Sequence, residues 1–194
     1  MNPLDRRPLI VALAGPNGAG KTTFYHAQLQ ATGLRLVNAD VVAREMQLGD
    51  QAAMRVTAAL RLELLRVRES FVFETVFSDP VGDKLAFLQE AVRSGYTVVV
   101  CYIGIDGPDT SEERVAMRVS KGGHDVPADR LVSRFPRTLS NLKAAVAALP
   151  FVWVFDNQDL RRPYRKVGVF ESGRRVFLAP RPPAWLAAIV KGPR

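Results

Sequence analysis

Eight consecutive residues, Gly15-Pro16-Asn17-Gly18-Ala19-Gly20-Lys21-Thr22, fit the spacing G-x-x-x-x-G-K-[ST], and that spacing leaves few folds open. The glycines let the backbone curl until several N–H groups point at one centre. The N-terminus of a following helix adds the positive end of its dipole. Lys21 then reaches β- and γ-phosphates, and the Thr22 hydroxyl reaches Mg2+. The surroundings agree: Pro8 to Ala14 (PLIVALA) reads as a short buried strand leading in, and Lys21 to Ala31 as the helix leading out. A Gly-rich turn without a ligand has no need of Lys and Thr at these positions. The loop is therefore expected to bind a nucleoside triphosphate.

Beyond the loop the chain alternates. Strand-like runs, short and rich in β-branched or aromatic residues, lie at Pro8–Ala14, Arg35–Ala39, Phe71–Val76, Tyr96–Ile105 and Phe151–Phe155. Helical spacing occupies Lys21–Ala31, Gln51–Glu69, Val81–Ser94, Ser111–Lys121 and Ala128–Leu149, the last expected to kink or split at Pro136. This alternation predicts a doubly wound α/β domain. With the loop, the fold class is a P-loop NTPase fold: a central, mostly parallel five-stranded sheet flanked by helices. The texture then changes. Lys166–Phe170 and Arg174–Ala179, joined by Glu171-Ser172-Gly173, predict a C-terminal β-hairpin, and Ala184–Lys191 a closing helix after Pro182-Pro183. With 194 residues and no internal repeat, the chain is expected to form one domain carrying the hairpin and helix as an appendage.

A single cysteine, Cys101, excludes an internal disulfide framework, and its apolar setting reads as an inert core thiol. Leu9–Ala14, the longest apolar run near the N-terminus, is too short for a signal-peptide core or a membrane span. A soluble cytoplasmic protein with no membrane partner is expected. Net charge is +8, and residues 161–194 hold nine of the 27 basic residues but one of the 19 acidic ones. Such a tail either binds nucleic acid or an anionic metabolite, or is a solvated arginine surface. Without interleaved aromatics it makes a poor stacking platform for single strands.

In open α/β sheets ligands bind beyond the carboxyl ends of the strands, so polar residues there are candidates. Asp40, after the second strand, is either a base accepting a proton from a substrate hydroxyl or a helix N-cap. Glu74, among Phe71, Phe73 and Phe77, is costly to bury without a partner. It is read as an active-end carboxylate rather than one on an exposed sheet edge, and Ser78 with Asp79-Pro80 as the start of the next helix. Arg114, Arg118 and Lys121 share a helical face, as do Arg130, Arg134 and Arg137. Joined by Gly122-Gly123-His124, they form either a clamp over a triphosphate or solvated faces. His124 has no partner at metal-ligand spacing. Asp156-Asn157 after the fifth strand is either an acidic position on Mg2+ or a loop on the adenine side. Asp79-Pro80-Val81-Gly82 matches D-x-x-G weakly, with no N-K-x-D; no L-S-G-G-Q is present.

Five segments occur in order: G-P-N-G-A-G-K-T-T (Gly15–Thr23), N-A-D (Asn38–Asp40), F-E-T-V-F-S (Phe73–Ser78), R-V-A-x-R-V-x-x-G-G-H-x-V-P (Arg114–Pro127) and R-F-P-R-T-L-S-N-L (Arg134–Leu142). Together they resemble the zeta-toxin family of P-loop kinases, particularly its short free-standing relatives of the UDP-N-acetylglucosamine kinase type. The resemblance runs from residue 8 to Asp156-Asn157, and the G-G-H-x-V-P segment with its arginines is its most specific part. It implies transfer of the ATP γ-phosphate to a hydroxyl of a UDP-activated amino sugar or related nucleotide metabolite. Carried over, Gly15–Thr23 and Asn157 hold ATP, and Lys21 and Thr22 hold phosphates and Mg2+. Asp40 is the base, also on the substrate side, Glu74 and Thr75 orient the acceptor, and Arg118 and Arg134 stabilise the moving phosphate, with Arg114 and Arg137 as their partners and Arg114 on the substrate side. This chain lacks the long C-terminal region with which larger members help bind the sugar nucleotide. An antitoxin partner does not follow from these residues. The alternative is a nucleotide-dependent protein that binds or phosphorylates nucleic acid through its basic tail.

Overall fold

The computed structural model describes residues 2–120, 122–123 and 125–190. Lys121 at the end of an expected helix, His124 of the expected turn and Lys191 of the expected last helix lie outside them. Among the described residues, β1 (Leu9–Ala14), β2 (Arg35–Val37), β3 (Phe71–Thr75), β4 (Thr97–Gly104), β5 (Phe151–Asp156), β6 (Arg165–Glu171) and β7 (Arg174–Leu178) form one sheet in the order β2-β3-β1-β4-β5-β6-β7. The strands β1 to β5 are parallel; β6 and β7 add on antiparallel. The helices are α1 (Lys21–Phe24), α2 (Ala39–Glu45), α3 (Asp50–Arg66), α4 (Asp83–Arg93), α5 (Pro108–Val119), α6 (Ala128–Ala148) and α7 (Ala184–Val190).

All of β1 is buried, with Ile10, Ala12 and Ala14 in one core and Leu9, Val11 and Leu13 in the other. That double burial explains its unbroken apolar run. The first core is filled by Leu64 of α3, Leu88 and Ala91 of α4, Leu142 and Ala145 of α6, and Trp185 and Leu186 of α7. Each of the buried leucines among them contributes about 1.5–3 kcal/mol by leaving water. The second core has thinner cover, chiefly Phe24 and Leu29 after the loop, with Phe135 and Leu4.

The expected sheet of five strands has seven, because the hairpin continues it. Ser172 and Gly173 have φ of 48° and 79°, as the two central residues of a primed hairpin turn require. The expected uniform helix over Lys21–Ala31 is α1, a π-helical turn Tyr25–Leu29 and a 3-10 turn Gln30–Thr32. Phe24 and Leu29 are five residues apart and both must reach the sheet, and a turn with i→i+5 bonding brings them to one face. Pro136 does not split α6, which runs unbroken for 21 residues. Proline deprives the Val132 carbonyl of its donor, but Val132 and Pro136 are both exposed, so water can serve it. The next helix after β3 begins at Asp83, beyond Gly82, and not at Ser78 to Pro80.

Candidate active site

The loop leaves β1 through Gly15, whose φ is 141° and whose added Cβ would lie 2.1 Å from the Ile103 carbonyl oxygen. Only glycine fits there. Side chains from distant segments then hold the loop's carbonyls. Ser111 Oγ donates to Asn17 O (2.7 Å), Asn157 Nδ2 to Ala19 O (2.9 Å) and the Tyr164 hydroxyl to Gly20 O (3.0 Å). Arg114 donates to Gln158 O (3.0 Å) and reaches Gly18 O (3.5 Å). With its carbonyls held from outside, the loop is left to present N–H groups to an anion.

Lys21 opens α1 and is buried. Its ammonium donates to Gly15 O (3.0 Å) and Pro16 O (2.9 Å) and lies 4.0 Å from Glu74 Oε1. Burial lowers its pKa, the carboxylates of Glu74 and Asp40 oppose that, and the Arg118 guanidinium adds to it. Groups from β3, α2 and α5 thus act on one ammonium.

Glu74 is the hub of this cluster. Its Oε2 accepts from Thr22 Oγ1 (2.8 Å) and from Asn38 Nδ2 (2.9 Å). Register explains the placement: Glu74 pairs with Leu13 on β1, two residues before the loop. Asn38 is buried, and its Oδ1 also accepts from Asp40 N (2.8 Å), capping α2. The cap of α2 is therefore Asn38. Asp40 is exposed in the first turn, free of the capping role the sequence left open for it.

The arginines separate into roles. Arg114 braces the loop. Arg118 is half-buried near Lys21, and Gly123 N donates back to Arg118 O (3.0 Å). Arg134 is half-buried, and its pKa is lowered by burial and by the like charges of Arg130 and Arg137. Arg137 is tied to the stretch after β3, its Nε donating to Ser78 O (3.1 Å). Thr138 and Asn141 continue that line, donating to Val76 O (2.7 Å), Phe77 O (3.0 Å) and Asp79 O (3.0 Å). They hold Phe77 at a φ of 61°, a conformation costly for an aromatic residue. Thr75 caps this bend, accepting from Phe77 N (3.0 Å).

Asp156 ends β5, and its carboxylate binds Arg165 (3.1 Å) and the Gln158 backbone N–H (3.3 Å). The carboxylate beside Thr22 is Glu74. Asp79 accepts from Lys84 N (3.3 Å) at the entry to α4, a turn role. Cys101 is buried and its thiol is pushed up to about 12 by desolvation, in keeping with an inert core thiol. The sequence reading gave no role to Asn38, Ser111, Gln158 or Tyr164. Asn38 had a local signal, since Asn at a strand end before a helix is a cap. Tyr164 had none, because its partner is 144 residues away.

A mostly parallel sheet, a phosphate-binding loop after its central strand and acid and arginine groups at its carboxyl edge define a P-loop kinase-like fold. Residues 10–137 match the AAA domain family AAA_33, and the chain belongs to that family. No curated protein matches the sequence. Among solved structures, a candidate kinase from Chloroflexus aurantiacus aligns over 81% of this chain and 92% of its own, at 18% identity and a TM-score of 0.59. The AvrRxo1-ORF1:-ORF2 complex with ATP aligns over 87% and 60%, at 18% identity and a TM-score of 0.68. This chain thus spans three fifths of that one. The PezAT toxin–antitoxin system of Streptococcus pneumoniae aligns over 77% and 69%, at 17% identity and a TM-score of 0.59. At these identities the likeness concerns the fold. No described helix is long and apolar enough to cross a membrane.

Proposed function

We propose that the protein is an ATP-dependent kinase whose acceptor is a hydroxyl of a small molecule, a UDP-activated amino sugar or related nucleotide metabolite. The observation that carries this reading is the Glu74 hub, which ties the loop's Thr22 and Lys21 to Asn38, the cap of the helix that presents Asp40. A carboxylate with no hydrogen bond or ion pair to the described residues then stands within electrostatic range of the loop's lysine. In the reaction, the acceptor oxygen attacks the γ-phosphorus, its proton passes to Asp40 and ADP departs. Lys21, Arg118 and Arg134 neutralise the equatorial oxygens, and Asn157 and Arg114 border the nucleotide from the β5 side. Thr75 lines the acceptor wall.

The donors present suit Mg2+. A hydroxyl and a carboxylate 2.8 Å apart are hard oxygen ligands. No described cluster of three or more His, Cys, Asp or Glu residues competes, which fits an ion that keeps its waters and binds mainly through phosphates. Thr22, with Glu74 behind it, would hold the ion, which would supply charge neutralisation between the β- and γ-phosphates. Incubation with ATP, Mg2+ and a panel of UDP-sugars should add one phosphoryl group to an acceptor, read by mass. Robust hydrolysis of ATP by water with no acceptor phosphorylated would overturn the proposal. A polynucleotide in the same panel tests the nucleic-acid reading, and the likeness to PezAT makes an antitoxin-like protein a partner to seek by co-purification.

A further inference from the structure

On the sheet face with the thinner cover lies a cavity of about 310 Å3 that the proposed reaction does not use. Its walls are aromatic and aliphatic: Trp153 and Phe155 of β5, Phe24 and Leu29 of the segment after the loop, Leu4 and Tyr164. Its volume lies within the range of small-ligand sites, roughly 300–1,000 Å3, and such sites are mostly apolar with a few placed polar groups. Here the placed charge is Lys166. Its ammonium sits 5.5 Å from the centre of the Trp153 ring and 5.9 Å from that of Phe155, and no carboxylate among the described residues lies within ion-pair distance of it. A cation bordering an apolar recess favours a ligand that is flat and apolar at one end and anionic at the other.

The recess shares a wall with the phosphate-binding loop. Phe24, three residues beyond Lys21, packs on Phe155 with ring centres 4.8 Å apart and on Tyr164 at 5.2 Å. The same Tyr164 donates its hydroxyl to Gly20 O. The far side of the recess is the π-helical turn ending at Leu29, a geometry frequent at functional positions. The geometry points to an accessory site for a small aromatic anion, such as an aryl carboxylate or sulfonate, whose occupancy is felt at the loop through Phe24 and Tyr164. The aryl group lies against the half-buried Trp153, and the acid pairs with Lys166.

Calorimetric titration with naphthalene sulfonate and its neutral sulfonamide tests the assignment on the full chain. The sulfonate should saturate at one per chain. Lys166→Met, which keeps the apolar stem of an exposed side chain, should weaken the sulfonate at least tenfold and the sulfonamide less than twofold. Trp153→Ala, which removes the half-buried aromatic wall, should weaken both at least tenfold while ATP still binds. Absence of saturable binding to the native chain, or equal responses of the two probes to Lys166→Met, overturns the site. The sulfonate should also change the affinity for ATP, and ATP that for the sulfonate by the same factor; independent affinities overturn the coupling. The cleft titration needs no phosphate transfer, so a failed kinase assay and a failed cleft are separate results.

Discussion

Around Gly15–Thr22, side chains of α5 and of the segment after β5 already hold the loop's carbonyls, and Lys21 and Thr22 each have a fixed partner. On the facing side, Asp40 is exposed and Arg134 stands between Arg130 and Arg137 with no ion-pair partner among the described residues. On the proposed reading the donor half is pre-organised by its own bonds, whereas the acceptor half is a set of charges whose counterparts arrive with the substrate. Preformed dipoles cost no reorganisation during reaction, while uncompensated arginines favour an anionic ligand.

Substitutions can break or sharpen this contrast. The largest effect is expected for Lys21→Met, a loss in kcat/KM on the order of 10³ with weakened ATP binding; a rate near that of the native chain would show that the donor half does not depend on its lysine. Asp40→Asn should lower transfer by about 10²–10⁴ and leave ATP affinity unchanged by equilibrium binding. If both parameters fell together, the two halves would not be separable. Arg134→Met should cost roughly tenfold or more in steady-state assays, mostly with the acceptor varied, and an effect confined to the KM for ATP would move Arg134 to the donor half. Asn38→Ala removes a cap worth about 1 kcal/mol and one donor to Glu74, visible as a lower denaturant midpoint with a smaller loss of rate.

The smallest effect is in pH. Lys21 has a lowered pKa in the folded chain, so the unfolded chain binds that proton more tightly. Folding is penalised below the folded value, and the penalty is relieved as pH rises toward the ordinary lysine value of 10.5. Denaturant midpoints of the native chain should gain on those of Lys21→Met over that window, and parallel profiles would count against a buried ammonium.

The parts legible in the sequence were those encoded by neighbours. Gly15–Thr22 is a contiguous motif, and the apolar runs of β1 and β4 follow from burial on both faces. Glu74 stood out because a carboxylate among phenylalanines needs a partner. Which partner it takes depended on the register of β3 against β1, which no local pattern states. The π turn at Tyr25–Leu29 was hidden because it answers a demand of packing, not of propensity. Arg114 and Arg118 share a helical face, yet one braces the loop's carbonyls and the other approaches its lysine. Arg137 is spent on the bend after β3, because that bend's carbonyls need donors from α6.

The exposed edge strand β7 begins with Arg174 and Arg175, and a register shift interrupts its pairing with β6 between Val169 and Phe170. A flat apolar edge invites the same edge of another molecule, whereas charge and an irregular twist discourage it. The basic excess of the tail therefore bears on colloidal behaviour. Two such edges repel, which discourages sheets of neighbouring molecules from joining through β7. Salt shortens that repulsion to about 10 Å at 0.1 M, leaving Val176 and Phe177, both exposed, as the first surfaces through which crowded molecules would adhere.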